Sequence, residues 1–269
     1  MNIKAVVKVM NFHALLRVEA SGRQAVMYGT MEEELSDMMR ILQSNRNLQL
    51  DKRIRLPNSH LPVLRIYLGS DLGFCGNINT LISSALQHDT GAEKIVIGRK
   101  LRKPKEVSLY LTREEFQSSF EKVREYLERA VRERCWSAVE VVYNHYQNVT
   151  SISQEVKRIY PLASAQENVT RKNASRNNEW DDFEIEGDAE RLLEDMTISC
   201  MIYEIRIAAA SAYAAENIMR QNATSESLKK LDEIEAETQR LERKEKNQAA
   251  FQKTIDSFVK RKSLSERNR

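Results

Sequence analysis

The last third of the chain, from Ala189 to about residue 262, contains no proline and repeats apolar residues at alternating steps of four and three. The clearest part of this repeat runs through Met196, Cys200, Tyr203, Ile207, Ala210 and Ala214. Proline breaks helices, and a 4–3 alternation places apolar side chains along one seam, so the stretch predicts a coiled-coil helix. A helix of about seventy residues spans roughly 100 Å, which is longer than any small domain. It must therefore lie against a second helix and, beyond that, against another protein.

The N-terminal segment, residues 1–50, has the same spacing and predicts a second coiled-coil helix. Its apolar residues at steps of three or four include Val7, Met10, Ala14, Tyr28, Met31, Leu35, Met38 and Leu42. We expect this helix to pair antiparallel with part of the C-terminal helix, with the middle of the chain inserted between the two.

The middle of the chain alternates between strand and helix patterns. Strands are predicted at Val63–Leu68, Lys94–Ile97, Val107–Leu111, Val139–Tyr146 and Glu155–Leu162, and helices at Ile78–Leu86 and Glu114–Arg134. Such alternation is typical of an open, mostly parallel, Rossmann-like sheet. The polar stretch Gln166–Asn178 predicts an exposed loop.

The predicted fold is therefore an α/β domain combined with a long antiparallel coiled coil. We divide the chain into an N-terminal helix (1–50), an α/β domain (63–187), a C-terminal helix (189–262) and a basic tail (263–269).

Composition argues against several classes of function. The formal net charge is only +3 over 269 residues, which disfavours a nucleic-acid binder that works through global charge. Three well-separated cysteines fit a reducing compartment better than a disulfide framework. The sequence has no metal-ligand spacing, phosphate loop or nucleophile elbow, and no apolar run long enough to span a bilayer. We expect no catalytic residue, no cofactor and no metal.

One loop, from Gly69 to Asn79, follows a predicted strand and opens a predicted helix. In open α/β sheets this position can bind a ligand, and Asp71 with Cys75 would then belong to an active site.

The alternative interpretation of this loop is structural. Gly73 and Gly76 would supply turn conformations, Ser70 or Asp71 would cap backbone amides, and Phe74 and Cys75 would pack. The loop contains no basic residue and no acid–base partner, which favours this alternative.

The same loop belongs to a series of short stretches that resemble one protein family. In chain order they are Lys8-x-Met10, Ser70-Asp71-x-Gly73-x-Cys75-Gly76-x-x-Asn79, Ile97-Gly98-Arg99-Lys100, Val141–Asn144 with Ser153-Gln154-Glu155, Phe183–Glu186, Ala214-Ala215 and Asn222-Ala223-Thr224. Together they resemble the gamma subunit of rotary ATP synthases, over nearly the whole chain and in the family's order.

The resemblance implies a non-catalytic rotor, or central stalk. Such a chain would transmit torque between a membrane-embedded c-ring and a catalytic hexamer of alternating alpha and beta subunits, with the epsilon subunit as a further partner. It would reach the membrane only through these partners, on the cytoplasmic, inner face of a bacterial plasma membrane.

The resemblance also implies partner-binding residues. The apolar tip of the C-terminal helix would sit in a bearing of the hexamer, and charged residues below it would contact the hexamer's mobile levers. These residues are Phe251, Ile255, Phe258 and Val259 at the tip, Lys229, Lys230, Glu233 and Arg240 below it, and Val7 and Met10 on the first helix.

Three alternatives remain open. Departures from the family pattern at Leu72, Ser211-Ala212 and Glu216, and in the basic tail, leave room for the rotor of a specialised ATPase. A coiled-coil adaptor with a ligand-binding α/β domain would instead self-associate through its seams. A small enzyme would act at Asp71 and Cys75.

Overall fold

The computed structural model describes residues 3–44, 57–102, 106–148, 151–162 and 187–267, with the side chains of 43–44 and 258–267 left undescribed. The loop predicted at Gln166–Asn178 and the family stretch Phe183–Glu186 lie outside the described residues. In chain order the elements are α1 (Ile3–Ser44), β1 (Val63–Leu68), α2 (Asn79–His88), β2 (Ala92–Ile97), β3 (Leu109–Leu111), α3 (Arg113–Ser118), α4 (Glu121–Glu128), a π-helical turn (Arg129–Glu133), β4 (Ala138–Tyr146), β5 (Ile152–Tyr160) and α5 (Ala189–Arg267).

Helices α1 and α5 pair antiparallel, as the sequence predicts. At one end, Lys4 of α1 forms ion pairs with Asp232 and Glu235 of α5. At the other end, the Cys200 thiol lies 3.6 Å from the Met39 sulfur. α5 has 79 residues against 42 in α1, so it continues well past the point where α1 begins.

The seam of α1 is only partly the one predicted. Its buried and half-buried positions include Lys4, Val7, Asn11, Ala14, Val18, Ser21, Ala25, Tyr28, Glu32, Leu35, Met39 and Leu42. The prediction that Met31 and Met38 lie in the seam is wrong, since Met38 is 55% exposed whereas its neighbour Met39 is 6% exposed. The observed seam follows a heptad repeat that includes Ala14 and the residues seven positions before and after it. Polar residues occupy some positions of this repeat, so it is hard to recognise in the sequence.

Asn11 is one of those polar seam residues. Its side-chain amide lies within hydrogen-bond distance of the Gln221 carbonyl (3.0 Å) and of the Thr224 (2.9 Å) and Ser225 (2.8 Å) hydroxyls. A polar residue at a coiled-coil seam finds its partners in one register only, so Asn11 specifies how α1 is aligned on α5.

The sheet has five strands in the order β3-β2-β1-β4-β5. The first four run parallel, and β5 returns antiparallel to β4. The prediction of an open, mostly parallel α/β sheet inserted between two paired helices is therefore confirmed.

The two faces of the sheet have separate cores because successive strand residues point to opposite sides. On one face, Leu64 and Ile66 of β1 share a core with Met201 and Ile205 of α5, to which α4 also contributes. On the other face, Tyr67 packs in a smaller core with residues of α2. α5 is thus buried on one side by α1 and on another by the sheet.

The prediction of one continuous helix over Glu114–Arg134 is wrong, since the segment folds as α3, α4 and the π-helical turn. The break falls at Ser119, whose backbone lies outside the helical region (φ −127°, ψ 49°). Serine has only moderate helix propensity, and the capping box of Thr112 and Glu115 fixes the start of α3 independently. The predicted apolar face is nevertheless buried, at Phe116, Val123, Leu127 and Val131.

Gly69 and Gly98 bring the ends of β1 and β2 into backbone contact. The Gly69 amide donates to the Ile97 carbonyl at 2.7 Å, and the Gly98 amide donates to the Leu111 carbonyl at 2.9 Å. Gly98 has φ +123°, and a Cβ there would lie 2.7 Å from the Gly69 carbonyl carbon. Only glycine fits this crossing without displacing backbone.

We predict that Gly98→Ala lowers the free energy of unfolding by about 3 kcal/mol or more, since both the φ value and the contact oppose a side chain. The midpoint of urea unfolding, followed through the fluorescence of the buried Trp136 and by circular dichroism, measures the effect. The control is Gly22→Ala, because a Cβ at Gly22 in α1 meets nothing within 4 Å. That control should be neutral or stabilising by up to about 1 kcal/mol, and equal midpoints for the two variants would contradict the interpretation.

Candidate partner-binding surfaces

The end of α5 extends beyond the other elements that the structure describes. Every described side chain from Asp232 to Ser257 is exposed, and we call this segment the shaft extension. Its residues rise along the helix by about 39 Å. Past the ion pairs of Lys4 with Asp232 and Glu235, no other element of the described structure is seen against it.

The extension presents large apolar side chains to solvent. Phe251 is 67% exposed, and Ile255, Ile234 and Leu241 are exposed as well. Phe258 and Val259 belong to α5, but their side chains lie outside the described residues. Exposed aromatic and aliphatic side chains on a polar helix mark an interaction surface.

The predicted charged contacts lie along the same helix. Lys229, Lys230, Glu233 and Arg240 are all exposed. Lys230 donates to Glu226 at 2.7 Å, one turn earlier, and the two form an i,i+4 ion pair. This hydrogen bond raises the pKa of Lys230 and lowers the pKa of Glu226.

The two predicted positions on α1 are not a free surface. Val7 and Met10 are half-buried, and Val7 has a seam position. The outward side of α1 instead exposes Val9, Phe12 and Leu16. Sequence reasoning missed this second apolar stripe because it traced only the seam, although the 3–4 spacing of these residues also places them on one helix face.

In the motif loop between β1 and α2, Asp71 joins three loops. Its carboxylate accepts the backbone N–H of Arg99 at 2.8 Å, after β2, and the backbone N–H of Arg113 at 3.0 Å, after β3. These loops meet at the carboxyl ends of β1, β2 and β3, where a ligand would bind in an open α/β sheet. Asp71 satisfies backbone donors of its own chain there.

Other residues of the loop also bond to one another. The Ser70 amide donates to the Asn79 side chain at 3.1 Å, and the Asn79 amide donates back to the Ser70 hydroxyl at 2.7 Å. Cys75 is buried, and its thiol contacts the Ser70 hydroxyl at 3.6 Å and the Leu72 carbonyl at 3.4 Å. The described contacts join no acid–base partner to Cys75, and they match the structural interpretation of the loop.

The turn itself differs from expectation at two positions. Gly76 adopts a left-handed conformation, but Gly73 does not, and Phe74 takes φ +58° instead. Phe74 is 71% exposed, so its predicted packing is wrong. Cys75 does pack, against Ile78 and Ala215.

A buried ionic cluster joins this loop region to α5, and sequence reasoning missed it. Arg113 donates to Glu216 at 3.0 Å, and Arg220 donates to the other Glu216 oxygen at 2.6 Å. We call Arg113, Glu216 and Arg220 the buried joint. Burial lowers the pKa of Arg113, while the nearby Glu216 carboxylate opposes the shift. The i,i+4 spacing of Glu216 and Arg220 was visible in the sequence, but their burial was not.

Comparison with known proteins decides which family this architecture represents. A family model described as ATP synthase matches residues 1–255. The chain belongs to the ATP synthase gamma-subunit family. Members of this family are non-catalytic stalk subunits of the rotary synthase.

A solved structure of a rotary ATP synthase agrees on the fold. A chain of the Tetrahymena thermophila mitochondrial ATP synthase central stalk and c-ring matches with a TM-score of 0.54 and 17% identity, over 82% of this chain and 99% of that chain. A Euglena gracilis mitochondrial chain, from a structure of OSCP, F1 and c-ring, gives a TM-score of 0.49 at 14% identity, over 93% of both chains. No curated protein matches.

Within the described residues, no helix combines the length and the apolar character that crossing a membrane requires. Over the same residues, no three His, Cys, Asp or Glu side chains are grouped to hold a metal ion.

We predict that Asp71→Ala lowers the free energy of unfolding by about 1–2 kcal/mol, because the backbone amides of Arg99 and Arg113 lose their acceptor. Asp71→Asn should lower the free energy of unfolding by less, since the asparagine side chain keeps one acceptor oxygen. The control is Leu72→Ala, an exposed neighbour in the same loop that should change stability by less than about 0.5 kcal/mol. Chemical denaturation measures all three, and an Asp71→Ala protein as stable as the wild type would contradict the bracing role.

Proposed function

We propose that this gamma-family chain is a rotor shaft that carries torque between a membrane c-ring and a catalytic hexamer of alternating alpha and beta subunits. The observation that carries the proposal is the shaft extension, an exposed helix that continues past its antiparallel partner. A helix of this length with exposed Phe251, Ile255 and Leu241 is suited to enclosure by other chains.

The shaft has no rotational symmetry, which is what the mechanism requires. In the described structure it is a helix pair over the length of α1, and past Lys4 no described element lies against α5. Each beta subunit around it would therefore meet a different face. Because these contacts differ in free energy between conformations of the beta subunit, turning the shaft would move each site through its conformations in sequence.

Residue roles follow from position along the shaft. Phe251 and Ile255, with Phe258 and Val259 further along α5, would form the tip in the hexamer bearing. The exposed charges of Lys229, Lys230, Glu233 and Arg240 would contact the levers of the hexamer. Val7 and Met10 would support the helix pair, while the outward Val9, Phe12 and Leu16 would face the hexamer.

The α/β domain (63–187) would lie at the opposite end of the shaft from the tip and bind the epsilon subunit and the c-ring. In this proposal the chain holds no cofactor and contacts neither nucleic acid nor lipid directly. It would lie at the inner face of a bacterial plasma membrane and take part in proton-coupled ATP synthesis. A specialised ATPase would use the same shaft with different partners.

We expect native affinity purification of the tagged chain to recover an ATPase hexamer with one copy of this chain per hexamer. Native mass measurement gives the stoichiometry, and the identity of the recovered subunits separates a housekeeping synthase from a specialised complex. Recovery of the chain alone, or as a homodimer while the hexamer is present but unbound, would contradict the rotor and favour the coiled-coil adaptor.

Truncation after Gln248 should weaken assembly or coupled ATPase activity, because it removes Phe251, Ile255 and the rest of the tip. The truncated chain should unfold at the same temperature as the full chain, since the described side chains it loses are exposed. A matched control is Thr254→Ala, which changes an exposed polar position of the same segment. Full coupled activity of the truncated complex would contradict the role of the tip.

A further inference from the structure

The α/β domain is attached to α5 by two kinds of contact. Ile198, Met201, Ile205 and Ala208 of α5 pack into the apolar core of the sheet. Towards the shaft extension, Ala215 and Met219 continue the apolar packing, and Glu216 and Arg220 add polar contacts to the domain. Apolar packing holds the domain against the helix, and hydrogen bonds add a directional constraint that apolar contacts lack.

The buried joint supplies directional bonds from two separate loops. Arg113, which begins α3, donates to Glu216 at 3.0 Å, and its guanidinium lies 3.4 Å from the centre of the Tyr213 ring. Arg220 reaches the motif loop, donating to the Gly73 carbonyl at 3.3 Å. Attachment at two loops restricts rotation of the domain about α5 more than attachment at one.

The joint is also internally ordered. Arg220 donates to Glu216 at 2.6 Å and to the Asn217 side chain at 2.8 Å, and Glu216 is only 3% exposed. Asp71 binds the two loops to each other through the Arg113 amide. Buried charge pairs add little net stability compared with apolar residues, but they favour one geometry over others.

We infer that Arg113, Glu216 and Arg220 are positioning residues that fix the angle of the α/β domain on α5, so that torque applied to the domain reaches the shaft extension. The inference rests on the proposed rotor function and adds the place where torque passes from domain to shaft.

The test uses the purified complex of this chain with its hexamer, fixed to a surface through the hexamer. A bead is attached to the α/β domain through Ser153→Cys on β5, in a Cys135→Ser background. Ser153 is exposed, while Cys75 and Cys200 are buried and shielded from labelling. The angular spread of the bead is recorded in a state stalled with a non-hydrolysable ATP analogue.

Glu216→Gln should widen the angular variance about twofold, because glutamine keeps one acceptor oxygen and only one of the two arginines retains its bond. The combined variant Arg113→Met, Glu216→Leu, Arg220→Met should widen it further while leaving the temperature of unfolding close to that of the wild type. Glu226→Gln is the control, since it breaks an exposed ion pair on the same helix, and its variance should not change.

Wild-type variance in both joint variants would overturn the inference. If Glu216→Gln fails to assemble, the apolar variant decides, because it leaves no unpaired charge in the joint. A wild-type chain that binds no hexamer would overturn the rotor function and this inference together. If the wild-type complex rotates and the joint variants show the same angular variance as the wild type, the rotor function stands and only this inference is overturned.

Discussion

The rest of the structure depends on the burial of α5 from two sides. Between about Met196 and Thr224 this helix packs against α1 along one side and against the sheet along another. Small residues make this possible, since Ala208, Ala214 and Ala215 let neighbouring backbones come close. α5 therefore belongs to the coiled coil and to the core of the α/β domain at once, and neither could form as observed without it.

The α/β domain keeps the topology of a ligand-binding sheet but closes the position where ligands bind. Asp71 accepts backbone amides from two neighbouring loops, Gly98 crosses Gly69, and Arg220 reaches in from α5. Groups that would hold a phosphate or a substrate in an enzyme here bond to the protein itself. The same fold thus works as a rigid attachment for a helix, which is consistent with a non-catalytic stalk subunit.

Much of the architecture could be predicted from periodicity. The two terminal helices, the strands and the antiparallel pairing all follow from the spacing of apolar residues and the absence of proline in the last third. The sequence alone could not decide whether Met38 or Met39 lies in the seam of α1. A 3–4 spacing fits two possible seams, and the observed seam contains the polar residues Asn11 and Glu32. The family resemblance located the motif loop, but the partner of buried Glu216 is Arg113, which lies 103 positions away.

The exposed end of α5 also changes how the chain exists before assembly. A lone helix in water is marginal, and exposed ion pairs such as Glu226–Lys230 add little to its stability because solvent screens them. Its backbone amides are shielded by no other described element, so they should exchange hydrogen with solvent much faster than those near Ile205. A partner that encloses this segment must also supply the free energy that orders it. Assembly, rather than folding of the single chain, is then the step at which the shaft becomes stiff along its whole length.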